Sequence, residues 1–220
     1  MISPVVKRII SALATAVVVV LAIIYSPPCV YVPIFIALFL LGGVEAFQLI
    51  ARRLSPIKFP GMFLFLLALV VLAVAFFVLP LIAMKFGNRM MLYVIAIVKI
   101  SDMGGFALGL STARLMKGGN HKMCPMISPN KSWEGLVGSV LAAVALSLLF
   151  MPITNFAWMK AVAFGIVAAL IGTAGDLVES KFKRWAGVKD SATFMPAGLG
   201  GFLDMFDSLL FAPAVMLPFI

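Results

Sequence analysis

The run GLGGFLDMFDSLLF (residues 198–211) places Asp204 and Asp207 in an otherwise apolar stretch. Three residues apart, they share one face if the segment is helical. Ionised carboxylates among apolar residues are costly unless they pair, hold a metal or line a wet cavity. The chain has only eight acids: Glu45, Asp102, Glu134, Asp176, Glu179, Asp190, Asp204 and Asp207. Asp102 lies inside VKISDMGGFALG, while Asp176 and Glu179 close an apolar run in GTAGDLVESKFKR. Such carboxylates beside basic loops suit a divalent cation handling a phosphorylated substrate. Mg²⁺ takes one or two carboxylates plus phosphate oxygens and water, and Lys or Arg neutralises the remaining phosphate charge. His121 is the lone histidine and sits in a loop. The chemistry expected is therefore one whose nucleophile is already an anion and needs no imidazole base.

Plainer readings stand beside this one. Lys99 and Asp102, three apart, suffice to neutralise each other, and Asp176 has Lys183 or Arg184 within reach along the chain. The pairs Gly104–Gly105, Gly172–Gly175 and Gly200–Gly201 suit close helix packing as well as a ligand's approach. Glu45 carries no local motif and reads as structural. Asp204 and Asp207 are harder to explain as ion pairs, since no basic residue lies within several turns of them in sequence.

The elements that must position these groups are membrane helices. Of 220 residues 64% are hydrophobic and 11% charged, against roughly half and a quarter in soluble domains. Apolar runs of about 18 residues or more read as spans. Seven occur, near residues 9–25, 30–51, 61–83, 90–112, 135–153, 161–178 and 201–220. The first follows Lys7 and Arg8 without a small-residue cleavage site, so it reads as an uncleaved span. The fold expected is all-α: a polytopic integral membrane helix bundle of about seven transmembrane helices, forming a single membrane-embedded domain over residues 1–220.

Sorting the basic residues by loop sets the orientation. Lys7, Arg8, Arg52, Arg53, Lys58, Arg114, Lys117, Lys122, Lys131, Lys181, Lys183, Arg184 and Lys189 fall on one side; Lys85, Arg89 and Lys160 fall on the other. Thirteen against three puts the N-terminus in the cytoplasm and the C-terminus outside. The net charge of +9 then concentrates on the cytoplasmic face. Anionic lipid headgroups or a nucleotide phosphate fit it better than nucleic acid, whose usual soluble, aromatic-interleaved surface is missing. Cys29 and Cys124 lie on opposite sides in this topology, and neither suggests a zinc site.

Two loops complete the picture. In CPMISPNKSWEGLVG, Ser128 before Pro129 reads as a helix N-cap with proline at the first helical position. Lys131 and Glu134 would then share a face of the entering helix, with Trp133 at the interface. The second loop, ESKFKRWAGVKDSATFMPAGLGG, is basic, holds Lys189 and Asp190, and joins two acid-bearing segments. It reads as an electrostatic funnel for a triphosphate.

ISPNKSWEG and GDLVESKFKRWAGVKDSATFMPAGLGGFLDMFDSLL resemble the motifs of the phosphatidate cytidylyltransferase (CDP-diacylglycerol synthase) family. That family's signature runs Ser, x, apolar, Lys-Arg, four residues, Lys-Asp, a Gly-Gly segment, then Asp-Arg-x-Asp. Ser180, Lys183, Arg184, Lys189, Asp190, Gly200, Gly201, Asp204 and Asp207 match it in order. Leu199 stands where the family usually has His, Met205 where it has Arg, and one extra residue separates Pro196 from the glycine pair.

The resemblance implies transfer of CMP from CTP to phosphatidic acid, giving CDP-diacylglycerol and pyrophosphate for phospholipid biosynthesis. Asp176, Asp204 and Asp207 would hold Mg²⁺, with room left for a second cation, and Lys189 and Asp190 would join them in catalysis. Lys183, Arg184 and Lys189 would contact the triphosphate. Ser128, Lys131, Glu134, Ser180, Gly200 and Gly201 would form the rest of the substrate site, with Asp102 a weaker member. A bacterial inner membrane is the expected location, with the active site facing the cytoplasm and homodimerisation left open. A related CTP-dependent lipid kinase and a non-enzymatic transporter are the rivals, separable by pyrophosphate release and by CTP turnover.

Overall fold

The computed structural model describes residues 20–21, 23–54, 59–116, 119–188 and 202–220. The elements are helices α1 (Pro28–Arg53), α2 (Phe59–Phe86) and α3 (Asn88–Leu115), strands β1 (Lys122–Cys124) and β2 (Ser128–Ser132), then helices α4 (Trp133–Leu149), α5 (Met151–Thr154) and α6 (Trp158–Trp185). The chain closes with α7 (Phe202–Phe206), a 3₁₀ turn Asp207–Leu209, α8 (Ala212–Met216) and a 3₁₀ turn Leu217–Phe219.

Four helices are long and apolar enough to cross a membrane: α1, α2 from Pro60 onward, α3 and α6. At about 1.5 Å per residue, the 28-residue α3 and α6 each exceed the roughly 30 Å hydrocarbon core. α4 has 17 residues and is shorter than a typical span. Most of the candidate span at 9–25 lies outside the described residues. The run 201–220 is not one helix. Pro213 and Pro218 each restart the chain at the first positions of a new short element. Proline lacks the N–H that would bond to the preceding turn, so apolar length here does not become helical length.

α3, α4 and α6 form the centre of the molecule. α3 and α4 meet almost backbone to backbone: a Cβ on Gly138 would lie 2.5 Å from the Gly104 carbonyl oxygen, and one on Gly104 would lie 2.3 Å from Ala142 Cβ. Small residues allow this approach, which gives membrane helices their dispersion contact in the absence of a hydrophobic drive. A buried polar link ties in α6. The Tyr93 hydroxyl and Ser147 Oγ are 2.7 Å apart, and Ser147 Oγ donates to the Ala161 carbonyl at 2.7 Å. The Tyr93 ring stacks on Phe164 and Phe150. α1 and α2 pack beside this core, with Phe39–Phe77 and Phe47–Phe65 ring contacts between them.

Candidate active site

The site is built where β2, α3, α6 and the broken C-terminal segment converge. β1 and β2 form an antiparallel hairpin pairing Lys122 with Ser132 and Cys124 with Ser128. This corrects the expectation for Ser128. It does not cap a helix, because Ser128–Ser132 is a strand and the helix starts at Trp133. The cap is Ser132, whose side chain accepts from the Gly135 N–H at 3.1 Å. Ser132 and Ser128 are both serines ahead of the same helix, and hairpin pairing decides between them. For the same reason Lys131 and Glu134 do not share a helix face: Lys131 belongs to β2 and Glu134 to the first turn of α4.

That separation sends the two side chains to different places. Lys131 forms an ion pair with Asp176 of α6. The expected partner of Asp176, Lys183, is engaged elsewhere, and Arg184 donates to the carbonyls of Ile127 and Val188. Glu134 accepts from His121 twice through Oε1, from the backbone N–H at 3.1 Å and from ring Nδ1 at 2.6 Å. The hydrogen bond from the His121 side chain, aided by backbone donors, pulls the Glu134 carboxyl down to about 2. The pair closes the base of the hairpin, in an open hollow shared with Lys122, Trp133 and Val137.

A cavity of about 260 Å³ lies on the other side of the hairpin, lined among others by Asp102, Ser128, Asn130, Lys131, Thr173 and Asp176. Asp102 of α3 and Asp207 of the 3₁₀ turn both neighbour Asp176. Lys99 lies 3.8 Å from Asp102, as the i,i+3 spacing suggests, and also donates to Ser208 Oγ at 3.0 Å. Asp207 Oδ1 accepts from the Ser208 N–H at 2.7 Å. Glycine sets the depth of this turn, for a Cβ on Gly175 would lie 2.6 Å from the Asp207 carbonyl oxygen.

Asp204 has different company. Lys183 Nζ is 2.6 Å from both Asp204 Oδ1 and Glu179 Oε2. The cation that the local sequence lacks around Asp204 therefore comes from α6. α7 ends at Phe206 and Asp207 begins a 3₁₀ turn, so the two aspartates are not successive points on one regular helix face. The N-terminal end of α7 is held by Glu45 of α1, whose Oε2 accepts from the Leu203 N–H at 2.9 Å. Ser180 sits half-buried on α6. Lys189, Asp190, Gly200 and Gly201 lie outside the described residues.

Several contributors were not among the expected site residues. Asn130, Ser139 and Thr173 line the cavity, and Ser208 joins Lys99 to the acidic turn. Neutral hydroxyls and amides in apolar helices are common packing residues, so type and spacing do not single them out. Glu45 had one available signal, a carboxylate deep in an apolar run.

Among the described residues, no three His, Cys, Asp or Glu side chains gather closely enough to hold an ion by themselves. Two carboxylates with substrate oxygens and water nevertheless satisfy Mg²⁺, and Asp176 Oδ1 is buried without a hydrogen-bond partner. Asp176 and Asp207 therefore fit a hard cation that arrives with a phosphate.

The sequence is similar to those of known proteins. A phosphatidate cytidylyltransferase of Staphylococcus saprophyticus is 41% identical over 128 residues, 57% of this chain and 46% of the relative. Proteins of the same name from Staphylococcus epidermidis and Staphylococcus aureus are 42% and 39% identical over the same shares. The matched stretch thus spans a little under half the length of these relatives. The model of the cytidylyltransferase family matches residues 55–220, which contain every acid of the site except Glu45. With three quarters of its length inside that match, the chain belongs to the cytidylyltransferase family.

Proposed function

We propose that this protein transfers CMP from CTP to phosphatidic acid, releasing pyrophosphate and leaving CDP-diacylglycerol in the membrane. The observation that carries the reading is the 260 Å³ cavity, whose walls bring Lys131 and Asp176 together from a polar hairpin and a membrane-length helix. A polyphosphate needs cation and carboxylate side by side, and a lipid needs that pair at membrane depth. The relatives' name supplies the substrate class.

The lipid phosphate is anionic near neutral pH. Its oxygen attacks the α-phosphorus of CTP, a P–O bond forms there, and the bond to the β,γ-pyrophosphate breaks. No general base is required, so the work is alignment and charge neutralisation. Asp176 and Asp207 would hold Mg²⁺ directly or through water, Asp204 would add its carboxylate from its place beside Lys183, and a second cation is proposed for the same acids. Bound Mg²⁺ would neutralise charge that develops on the phosphoryl oxygens. Lys131 and Lys183 place phosphate oxygens, while Ser128 and Asn130 offer neutral hydrogen bonds at the cavity wall. Lys189, Asp190, Gly200 and Gly201 belong to the same site by their match to the family signature.

The same reading sets the chain in a bacterial cell membrane, with the N-terminus and the site on the cytoplasmic side. Support comes from the basic loops and from Arg184, which ties the end of α6 to the hairpin turn.

The test is incubation of purified protein with phosphatidic acid, Mg²⁺ and α-labelled CTP. Label should enter the lipid phase with equal release of pyrophosphate. Asp204→Asn and Asp176→Asn should each lower the rate by roughly 100-fold or more, the scale for losing a charge-positioning group. Lipid label derived from the γ-phosphate would instead indicate a kinase, and absence of CTP turnover would end the enzymatic reading.

A further inference from the structure

The acid-bearing C-terminal segment is made of short pieces: α7 has five residues and the 3₁₀ turn after it has three. Elements so short hold no shape by themselves, and three long helices fasten this segment at successive points. α1 takes Leu203 through Glu45, and α6 takes Asp204 through Lys183. The third fastening is Lys99, about 17 Å along α3 from its start at Asn88. An ammonium so far inside an apolar helix is costly, and its partners indicate its use. Its close hydrogen bond goes to Ser208 Oγ at 3.0 Å, while Asp102, one turn away on the same helix, lies 3.8 Å off. Neutralising Asp102 therefore does not account for where the ammonium is aimed. Ser208 is fully buried, and its N–H donates to Asp207 Oδ1 at 2.7 Å. α6 meets the same turn through glycine: a Cβ on Gly172 would lie 3.8 Å from Ser208 Cβ, and one on Gly175 2.6 Å from the Asp207 carbonyl oxygen. Such contact limits how near the turn comes but gives it no direction along the helices. The bond from Lys99 to Ser208 is directed.

We propose that Lys99 is a positioning residue for the transfer reaction: through Ser208 it holds the acidic turn in the register that sets Asp207 beside Asp176. The inference rests on the proposed function and adds to it a residue outside the signature motifs. Lys99 does not line the 260 Å³ cavity, whereas Asp102, Lys131 and Asp176 do, so it acts through the turn rather than on a substrate. The charges of Asp102 and Asp207 both feel Lys99, and Asp176 pairs with Lys131. The three neighbouring carboxylates are thus matched by one lysine from the hairpin and one from α3. Lys131, at the cavity, is drawn to arriving phosphate; Lys99, away from it, keeps its bond to Ser208 while substrate comes and goes. Misplacing a group by about 1 Å costs up to about 100-fold in an aligned reaction, so a bond that fixes Asp207 acts on turnover without touching either substrate.

The full chain in detergent is compared with Lys99→Met, Ser208→Ala and the double variant. Two measurements are made: hydrogen–deuterium exchange, and pyrophosphate release from CTP and phosphatidate with Mg²⁺. Loss of one charge-assisted bond should raise exchange over residues 203–210 by about tenfold, with the close contact of α3 and α4 still protected. Lys99→Met should lower kcat by about tenfold and leave KM for CTP and phosphatidate within about twofold. Ser208→Ala should match it. The double variant should lose no more than Lys99→Met alone, because the two residues act in series. Losses that multiply, a raised KM with kcat held, or unchanged turnover overturn the inference. Exchange that rises equally across α3 and α4 also overturns it and marks Lys99 as a packing residue. Ser208→Ala removes a single oxygen, so it carries the same exchange and kcat expectations if Lys99→Met does not fold. Exchange needs no CTP. Absence of pyrophosphate from the unaltered protein would sink the reaction and leave the exchange result to decide the tether, whereas turnover with exchange unmoved in the variants sinks the tether alone.

Discussion

Asp207 owes its place to a side chain that is missing. The carbonyl of this residue comes so near Gly175 that a methyl group there would sit 2.6 Å from the oxygen, so Gly175→Ala must push the acidic turn away from Asp176. The expected outcome is a fall in turnover of about 10- to 100-fold, since small misplacements are costly in aligned reactions, with helicity by circular dichroism unchanged. Lys131 offers a second test. Lys131→Met leaves Asp176 with a charge and no cation, and should cost about 1–3 kcal/mol in denaturant unfolding. That is less than for a fully buried pair, because the lysine keeps 29% of its side chain exposed. Glu134 gives a pH signature. Its carboxyl ordinarily titrates near 4.5 and is held near 2 by His121, so its stabilisation is fully present above about 4.5 and is lost as pH falls toward 2. The melting-temperature gap between wild type and Glu134→Gln should shrink over that window. The types of the site residues were legible in sequence, because carboxylates in apolar runs are conspicuous. Their pairings were not: Lys131–Asp176 joins residues 45 apart, and no periodicity announces a contact made through a hairpin.

Packing of α3 on α4 is where helices rather than residues decide the outcome. Gly138→Val would force a branched side chain against the Gly104 carbonyl and Leu108 Cβ, the latter 2.6 Å from a Cβ at that position. Overpacking of this kind typically costs about 1–3 kcal/mol, and a lowered melting temperature in detergent is the expected reading. Gly109→Ala, on the same helix pair, meets nothing closer than 3.5 Å and should be neutral or stabilising by up to about 1 kcal/mol through helix propensity. If both variants behaved alike, the close approach of the two helices would be wrong. The sequence showed small residues in the right helices, and α1, α2, α3 and α6 overlap the apolar runs closely. It did not show the β1–β2 hairpin, whose strands have three and five residues and little apolar alternation. The C-terminal run misled in another way: its hydropathy suits a span, while Pro213 and Pro218 divide it.

For the whole molecule, the proposed orientation makes opposite ends of the bundle face different compartments. In a background with Cys29 and Cys124 replaced by serine, a cysteine at Met126, the exposed hairpin turn, should react with an impermeant maleimide only in inside-out vesicles. One at the exposed Asn155, between α5 and α6, should react only from the cell exterior. The opposite pattern would invert the topology and move the site away from cytoplasmic CTP. Charge counting yields a definite proposal for orientation because loop lysines and arginines act additively, whereas the number of crossings depends on local breaks that a hydropathy average hides.

Glu45 has a consequence for biogenesis. Its partner Leu203 lies 158 residues further along the chain, so the contact forms only after residue 203 has been made. A ribosome will have released α1 through α6 into the membrane well before α7 emerges to meet that carboxylate. The fastening of Asp204 therefore follows the synthesis of all six upstream helices, α1 through α6. A chain cut short before residue 203 would never acquire it, and membrane quality-control proteases would have a simple structural criterion, an incompletely docked C-terminal segment, for telling premature chains from mature ones.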